Sequence, residues 1–226
     1  MFNPLELFYP TRCVSCGKGG RLLCEECRSQ LEPLEALPCI VCDRPAVGGV
    51  THPVCRSRWA PERFLAAFPY RGPARKLVQG LKYRRVRKVA EIMTDLLAGE
   101  LAETGVGFGA EALVVPIPLS FWRKGARGFN QSELLGRALA GRLGLKIRTN
   151  LLRRPKDSLS QVSLTKPERA ANVRRAFAVK EKIQGEDILL VDDVVTTGAT
   201  AREAARALKK AGAGQVWVLA FAKDCG

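Results

Sequence analysis

Long apolar runs are missing from this 226-residue sequence. Stretches such as "VWVLAFA" are far shorter than the roughly 20 residues that cross a bilayer, so no membrane insertion is expected. The opening "MFNPLELFYP" has neither a basic start nor an extended apolar stretch, which argues against a secretory signal and for a cytoplasmic location. Aromatic residues make up only 7%, too few to suggest a dedicated stacking platform for bases. Acidic residues are scarce beside basic ones, 22 against 37, and the formal net charge is +15. Residues 1–60 are nearly balanced, with 7 basic and 6 acidic side chains, so the excess lies in residues 61–226. Such a surface favours polyanions, although a merely basic soluble enzyme would have the same composition. With 46% apolar and 26% charged residues, the chain should be globular, with room for one α/β domain and a small appendage.

Seven of the eight cysteines fall within the first 55 residues. Cys13 and Cys16, Cys24 and Cys27, and Cys39 and Cys42 form three C-x2-C pairs, a spacing that lets a tight turn aim two thiolates at one ion. In a cytosolic chain this predicts structural zinc rather than disulfides. Cys13, Cys16, Cys24 and Cys27 make a complete tetrahedral set. Cys39, Cys42 and Cys55 make three-quarters of a second, and Arg58 stands where a fourth cysteine would complete another pair. Two readings stay open for His52, the only histidine: the missing ligand, or a surface imidazole beside a degenerate site. A module of about 50 residues has too little core to fold unaided, so metal would supply much of its stability. The expected division is a zinc-ribbon module over 1–60 and an α/β domain over 61–226, with Pro61, Pro69 and Pro73 punctuating the passage between them.

Beyond that passage, "VAEIMTDLLAGELAE" and "TAREAARALKKAG" have helical periodicity. "NQSELLGRALAGRLG" predicts a helix with Asn130 as N-cap and Glu133 closing a capping box. "ALVVPIP", "LKIRTNLL", "AFAV", "DILLVD" and "QVWVLAFA" read as strands. Strands alternating with helices predict a mostly parallel, covered sheet. Residues 153–175 are basic and polar without a clean period and read as a long mobile loop. Residues 82–88, "KYRRVRK", hold five basic side chains in seven: Lys82, Arg84, Arg85, Arg87 and Lys88 form a candidate nucleic-acid contact.

The most informative segment is "ILLVDDVVTTGAT", residues 188–200. Four apolar residues run into Asp192 and Asp193, and a hydroxyl-rich turn then feeds a helix. Ligands of open α/β sheets sit at the carboxyl ends of the strands. Free N–H groups at a helix start bind phosphate, Thr196, Thr197 and Thr200 add donors, and Gly198 lets the backbone close on an anion. Carboxylates do not serve a phosphate, but they accept hydrogen bonds from vicinal sugar hydroxyls. A ribose 5-phosphate fits the whole segment.

This segment resembles the phosphoribosyl-pyrophosphate (PRPP) motif of type I phosphoribosyltransferases. "VPIPLSFWRKGARGFNQSELLGRALA", "QVSLTKPERAANVRRAF" and the Cys-rich front end resemble the ComF family of competence proteins. The resemblance implies an α/β fold with a mostly parallel sheet of type I phosphoribosyltransferase type, preceded by a double zinc ribbon. It implies Asp192 and Asp193 as catalytic contacts to the ribose, with Val194, Val195, Thr196, Thr197, Gly198, Ala199 and Thr200 around the 5-phosphate. Pyrophosphate would lie at the loop 116–120 with Arg123, Lys124 and Arg127 nearby, with Mg2+ and residues 153–175 as a flap. It also implies a role in natural transformation with single-stranded DNA and with DNA-uptake or helicase proteins as partners. Two readings follow: a Mg2+-dependent transferase, or a non-catalytic DNA-binding factor whose PRPP site is regulatory or vestigial.

Overall fold

The computed structural model describes residues 11–81, 86–119, 128–155 and 176–225. Among them, five parallel strands form one sheet in the order β1-β7-β6-β2-β3. These are β1 (Arg63–Pro69), β2 (Leu113–Pro116), β3 (Lys146–Ile147), β6 (Ile188–Val195) and β7 (Val216–Lys223). A two-residue antiparallel pair, β4 (Leu152–Arg153) with β5 (Ala178–Val179), stands apart. The helices are α1 (Glu25–Ser29), α2 (Gly72–Gly80), α3 (Val86–Glu103), α4 (Gln131–Leu143) and α5 (Ala199–Lys210).

Both faces of the sheet are covered, as a parallel sheet requires. On one face, Leu65, Leu189, Val191, Leu219 and Phe221 pack with α2, α3 and α4. On the other, Phe64, Leu190, Val218 and Ala220 pack with Ala201, Ala204, Ala205 and Leu208 of α5. α5 can lie close to the sheet because most of its buried residues are alanines.

Three expectations need correction. The passage between the two halves contains β1, an edge strand with five consecutive buried residues. Its flanking prolines conceal it, yet Pro69 ends the strand without costing the sheet anything. The single strand expected from "LKIRTNLL" is instead two dipeptide strands in different sheets. The capping box at α4 is half-formed: Asn130 Oδ1 accepts the Ser132 N–H at 3.2 Å, but Glu133 turns away to Arg137.

The N-terminal region divides between the two faces. Cys13, Leu23, Cys24 and Cys27 belong to the core around α2 and α3, whereas Ile40 belongs to the core around α5. Its fit against β1 is close at Gly49, where φ is +70° and an added Cβ would stand 1.9 Å from the Phe64 carbonyl oxygen. Gly49→Ala is therefore expected to cost about 3 kcal/mol or more, lowering the melting temperature by roughly 10 °C. Gly105→Ala, at φ +64° with no atom within 4 Å of the new methyl, should cost only about 1 kcal/mol of backbone strain. Thermal melts of the two variants distinguish a packing contact from a conformational preference.

Candidate functional site

β6 enters the sheet centre as four buried residues and leaves it as Asp192, Asp193 and Val194, which are half-buried. The strict alternation between faces from Ile188 to Val191 does not continue past the aspartates. Val194 packs with the cluster that holds Val191, and Val195 belongs to the cluster that holds Leu190. The pairing with β7 continues to Val195 and Lys223, so the strand stays ordered through this change of facing. Val195 is thus a core residue and offers a ligand only its backbone.

Asp192 Oδ1 accepts the Ser132 hydroxyl at 2.8 Å and the Asp193 N–H at 2.9 Å. Asp193 Oδ1 accepts the Val194 N–H at 2.9 Å. Ser132 reaches Asp192 because Asn130 fixes the start of α4: its amide caps that helix and donates to the Ile117 carbonyl at 3.0 Å. Burial, and then the neighbouring Asp193 charge, push the Asp192 carboxyl well above the usual range, while the Ser132 hydroxyl works against them. A carboxyl whose ionisation is opposed by burial and by the charge next to it is a setting that a divalent cation or sugar hydroxyls relieve.

After Val195 the chain turns through Thr196 and Thr197, both exposed, and Gly198, buried with φ +70°. α5 begins there without a side-chain bond from its N-cap Gly198, and past the long Ala199 N–H contact to Thr197 Oγ1 its first turn presents backbone N–H groups to an anion. Thr197 Oγ1 accepts the Ala199 N–H at 3.4 Å, and Thr200 is exposed. The carboxylates and the uncapped helix start therefore flank one turn at the carboxyl edge of the sheet. That arrangement can hold a sugar by its hydroxyls and a phosphate by backbone N–H groups at once.

The cysteines gather as two clusters. The ligand atoms of Cys13, Cys16, Cys24 and Cys27 all lie within 4.8 Å of one another, and so do those of Cys39, Cys42, His52 and Cys55. Cys16 Sγ lies 3.6 Å from Cys24 Sγ, near the edge of about 3.8 Å expected for a tetrahedron with zinc–sulfur bonds of about 2.3 Å. His52 faces Cys42 Sγ through Nδ1 at 3.3 Å and donates Nε2–H to the Pro45 carbonyl at 3.0 Å, the outer bond that orients a metal-binding imidazole. Arg58 is turned instead onto the Trp59 ring. Burial raises the Cys13 thiol, but the N–H groups of Cys16, Cys24 and Ser15 more than offset it and lower the pKa to about 6. The same opposition at Cys39, with the N–H groups of Cys42, His52 and Val41, gives about 7. In each cluster another thiol moves the opposite way. The Ser15 contact at Cys27 is outweighed by burial and the neighbouring thiols, which push its pKa up to about 12, and burial and the neighbouring thiols push Cys55 up to about 11. It is therefore the gathering of the four ligand atoms that suits zinc.

Arg123, Lys124 and Arg127, and Lys82, Arg84 and Arg85, lie outside the described residues, as does most of the flap expected over 153–175. Arg87 and Lys88 are exposed at the start of α3. Ser132 and Arg202, neither of them a candidate from the sequence, also belong to the site's surroundings. Ser132 carried one signal, its place two residues after a helix cap. Among the described residues no helix is long and apolar enough to cross a membrane.

Residues 4–57 match the double zinc ribbon domain family, and residues 130–224 match the phosphoribosyl transferase domain family. The chain is 32% identical over 224 residues to the DNA utilization protein YhgH of Salmonella typhimurium, across 96% of this chain and 92% of that one. It is 36% identical over 114 residues to competence protein F of Haemophilus influenzae, across 48% and 50%. To competence protein ComFC of Bacillus subtilis it is 28% identical over 205 residues, across 86% and 81%.

Proposed function

The chain belongs to the family of ComF-like competence and YhgH-like DNA utilization proteins, and from that premise we propose that it binds PRPP through residues 188–200 and transfers its ribose 5-phosphate in the service of DNA uptake and processing. The observation that carries this reading is the pairing of Asp192 and Asp193 with the uncapped start of α5 across one turn. The carboxylates accept the 2- and 3-hydroxyls of the ribose. The turn 196–200 holds the 5-phosphate by backbone N–H groups and threonine hydroxyls. Mg2+ suits a site whose two carboxylates crowd each other, and when bound it would neutralise the charge of the departing pyrophosphate. Ser132 keeps Asp192 oriented toward the sugar and lowers the cost of its ionised form. The reducing cytoplasm, where thiols remain free for zinc, is the compartment this reading places it in.

The sign of the pH dependence follows from Asp192. A carboxyl with a raised folded-state pKa is favoured protonated, so ionising it costs the fold stability as pH rises past its ordinary value. Ligand hydroxyls need the ionised form. PRPP affinity should therefore fall, on acidification, at a higher pH than an ordinary carboxylate would give. Ser132→Ala should move that fall higher still, because it removes an interaction that lowers the pKa. Calorimetric titrations of Mg2+–PRPP across a pH series test both statements. Pyrophosphate release in the presence of nucleobases or ammonia tests turnover. Absence of binding at millimolar PRPP, with both zinc clusters filled, overturns the reading.

The exposed Arg87 and Lys88, in the basic tract 82–88, favour a second reading: contact with single-stranded DNA through the phosphate backbone. Such binding should weaken steeply with salt and be unaffected by Asp193→Asn, whereas PRPP binding should require Mg2+ and weaken strongly in that variant.

A further inference from the structure

The contacts around Gly198 reach well beyond the sugar-phosphate site. Arg202, one turn into α5, directs Nη1 to the Ile40 carbonyl at 2.7 Å, the Thr197 carbonyl at 3.1 Å and the Val41 carbonyl at 3.4 Å. One guanidinium thus joins the turn to the backbone between Cys39 and Cys42. Ile40 itself is buried against the turn. A Cβ added at Gly198 would stand 2.9 Å from Ile40 Cγ1 and 3.0 Å from its carbonyl oxygen, so the knuckle fills the space beside the turn. On the turn's other side, Lys223 pairs in register with Val195, the last residue of β6. Its buried ammonium bonds Asp43 at 3.2 Å, one residue past Cys42. Residues 40 and 41 therefore meet the phosphate turn through Gly198 and Arg202, and Asp43 holds Lys223, the register partner of the residue before the turn, across separations of 161 and 180 in sequence.

We infer that the second cysteine–histidine cluster is a clamp for the phosphate turn: metal held by Cys39, Cys42, His52 and Cys55 fixes the knuckle, and Arg202 and Ile40 pass that order to Thr197 and Gly198 as positioning residues. The physical reason is local. A filled tetrahedral site closes the knuckle around Ile40 and Val41, presenting their carbonyls in one direction. Without the ion the thiolates repel, and the carbonyls that Arg202 requires lose their fixed position. Among the described residues the first cluster shows no such link, for Val14 beside it lies against Gly80 and belongs with Val89 to the core on the opposite face of the sheet. Because coupling is reciprocal, a phosphate ester in the turn should in return retain the metal of this cluster. The ligand side of this inference rests on the phosphate reading proposed above; the clamp itself does not.

The test uses the full chain with both clusters filled, beside Cys42→Ser and Arg202→Ala. Hydrogen exchange of the amides from 196 to 201 reads the clamp without any ligand. Both variants should raise it about tenfold or more, a typical size for coupling between sites, and leave the exchange of α3, on the opposite face of the sheet, unchanged. Binding of ribose 5-phosphate should weaken by about the same factor, and ribose 5-phosphate should slow chelator-driven loss of one zinc of the two. Arg202→Ala retains all eight metal ligands, so it decides the matter if Cys42→Ser fails to fold. Unchanged exchange at 196–201 in folded Arg202→Ala overturns the clamp. A wild-type chain that binds neither ribose 5-phosphate nor PRPP overturns the phosphate reading instead, and the exchange measurement still decides the clamp.

Discussion

Asp193→Asn is expected to weaken Mg2+–PRPP binding by one to two orders of magnitude, with the melting temperature almost unchanged. Hydrogen bonds to a charged group contribute about 1.5–3 kcal/mol each, and about 1.4 kcal/mol is a factor of ten. Asparagine retains an oxygen for the Val194 N–H, so the end of β6 should keep its shape. What disappears is the charge and one acceptor, replaced by a donor that faces a donating sugar hydroxyl. The change also removes the negative neighbour of Asp192, so the Asp192 carboxyl should fall back toward its ordinary range. A variant that binds more weakly yet retains affinity to a lower pH would be the signature of that linkage. Calorimetry at two pH values reads both effects. A loss smaller than threefold at neutral pH would remove Asp193 from the ribose contact. Asp192→Asn is a poorer probe, because Ser132 and the Asp193 N–H both depend on that carboxylate.

The turn between β6 and α5 was legible in the sequence because everything it needs is contiguous: an apolar strand, two acids, small hydroxyl residues, then a helix of high alanine content. The cysteine clusters were legible for the same reason, since C-x2-C is a local geometry. His52 was less so. Its role depends on a carbonyl seven residues earlier and a thiolate ten residues earlier, which only the folded ribbon brings to the two nitrogens of one ring. β1 was hidden by prolines at its margins, although "FLAAF" is as apolar as a buried strand should be. Arg202 had no signal in the sequence, and Ser132 had only its place two residues after a helix cap. Their partners lie 60 and 162 positions away, and no periodicity encodes which helix start faces which strand end. Local chemistry was thus visible, whereas the residues that orient it were set by topology.

Emptying the first cluster is expected to have the largest effect on stability. Cys13, Cys24 and Cys27 are buried in the core that also contains Leu65, Leu77, Met93, Leu97 and Phe221. They form part of the wall of that core. Structural zinc contributes about 10–16 kcal/mol in small zinc peptides, while whole domains are stable by only about 5–15 kcal/mol. Even a fraction of that contribution, lost where it supports α2 and α3, would cancel the margin. Four crowded thiolates without an ion would then have to take up protons or separate, and either outcome opens the face of the sheet. Cys24→Ser, or exhaustive chelation, should therefore abolish the cooperative thermal transition followed by circular dichroism for the entire chain, not for its first 60 residues alone. Hydrogen exchange distinguishes the cases. If β6 and β7 keep native protection after the metal is gone, the chain folds as two independent units that meet near residue 60, and the packing of Leu23 and Cys27 against α2 and α3 contributes little. Loss of protection throughout β1, β6 and β7 would mean that the ribbon and the sheet form one cooperative unit, so that the phosphate turn exists only in a zinc-loaded chain.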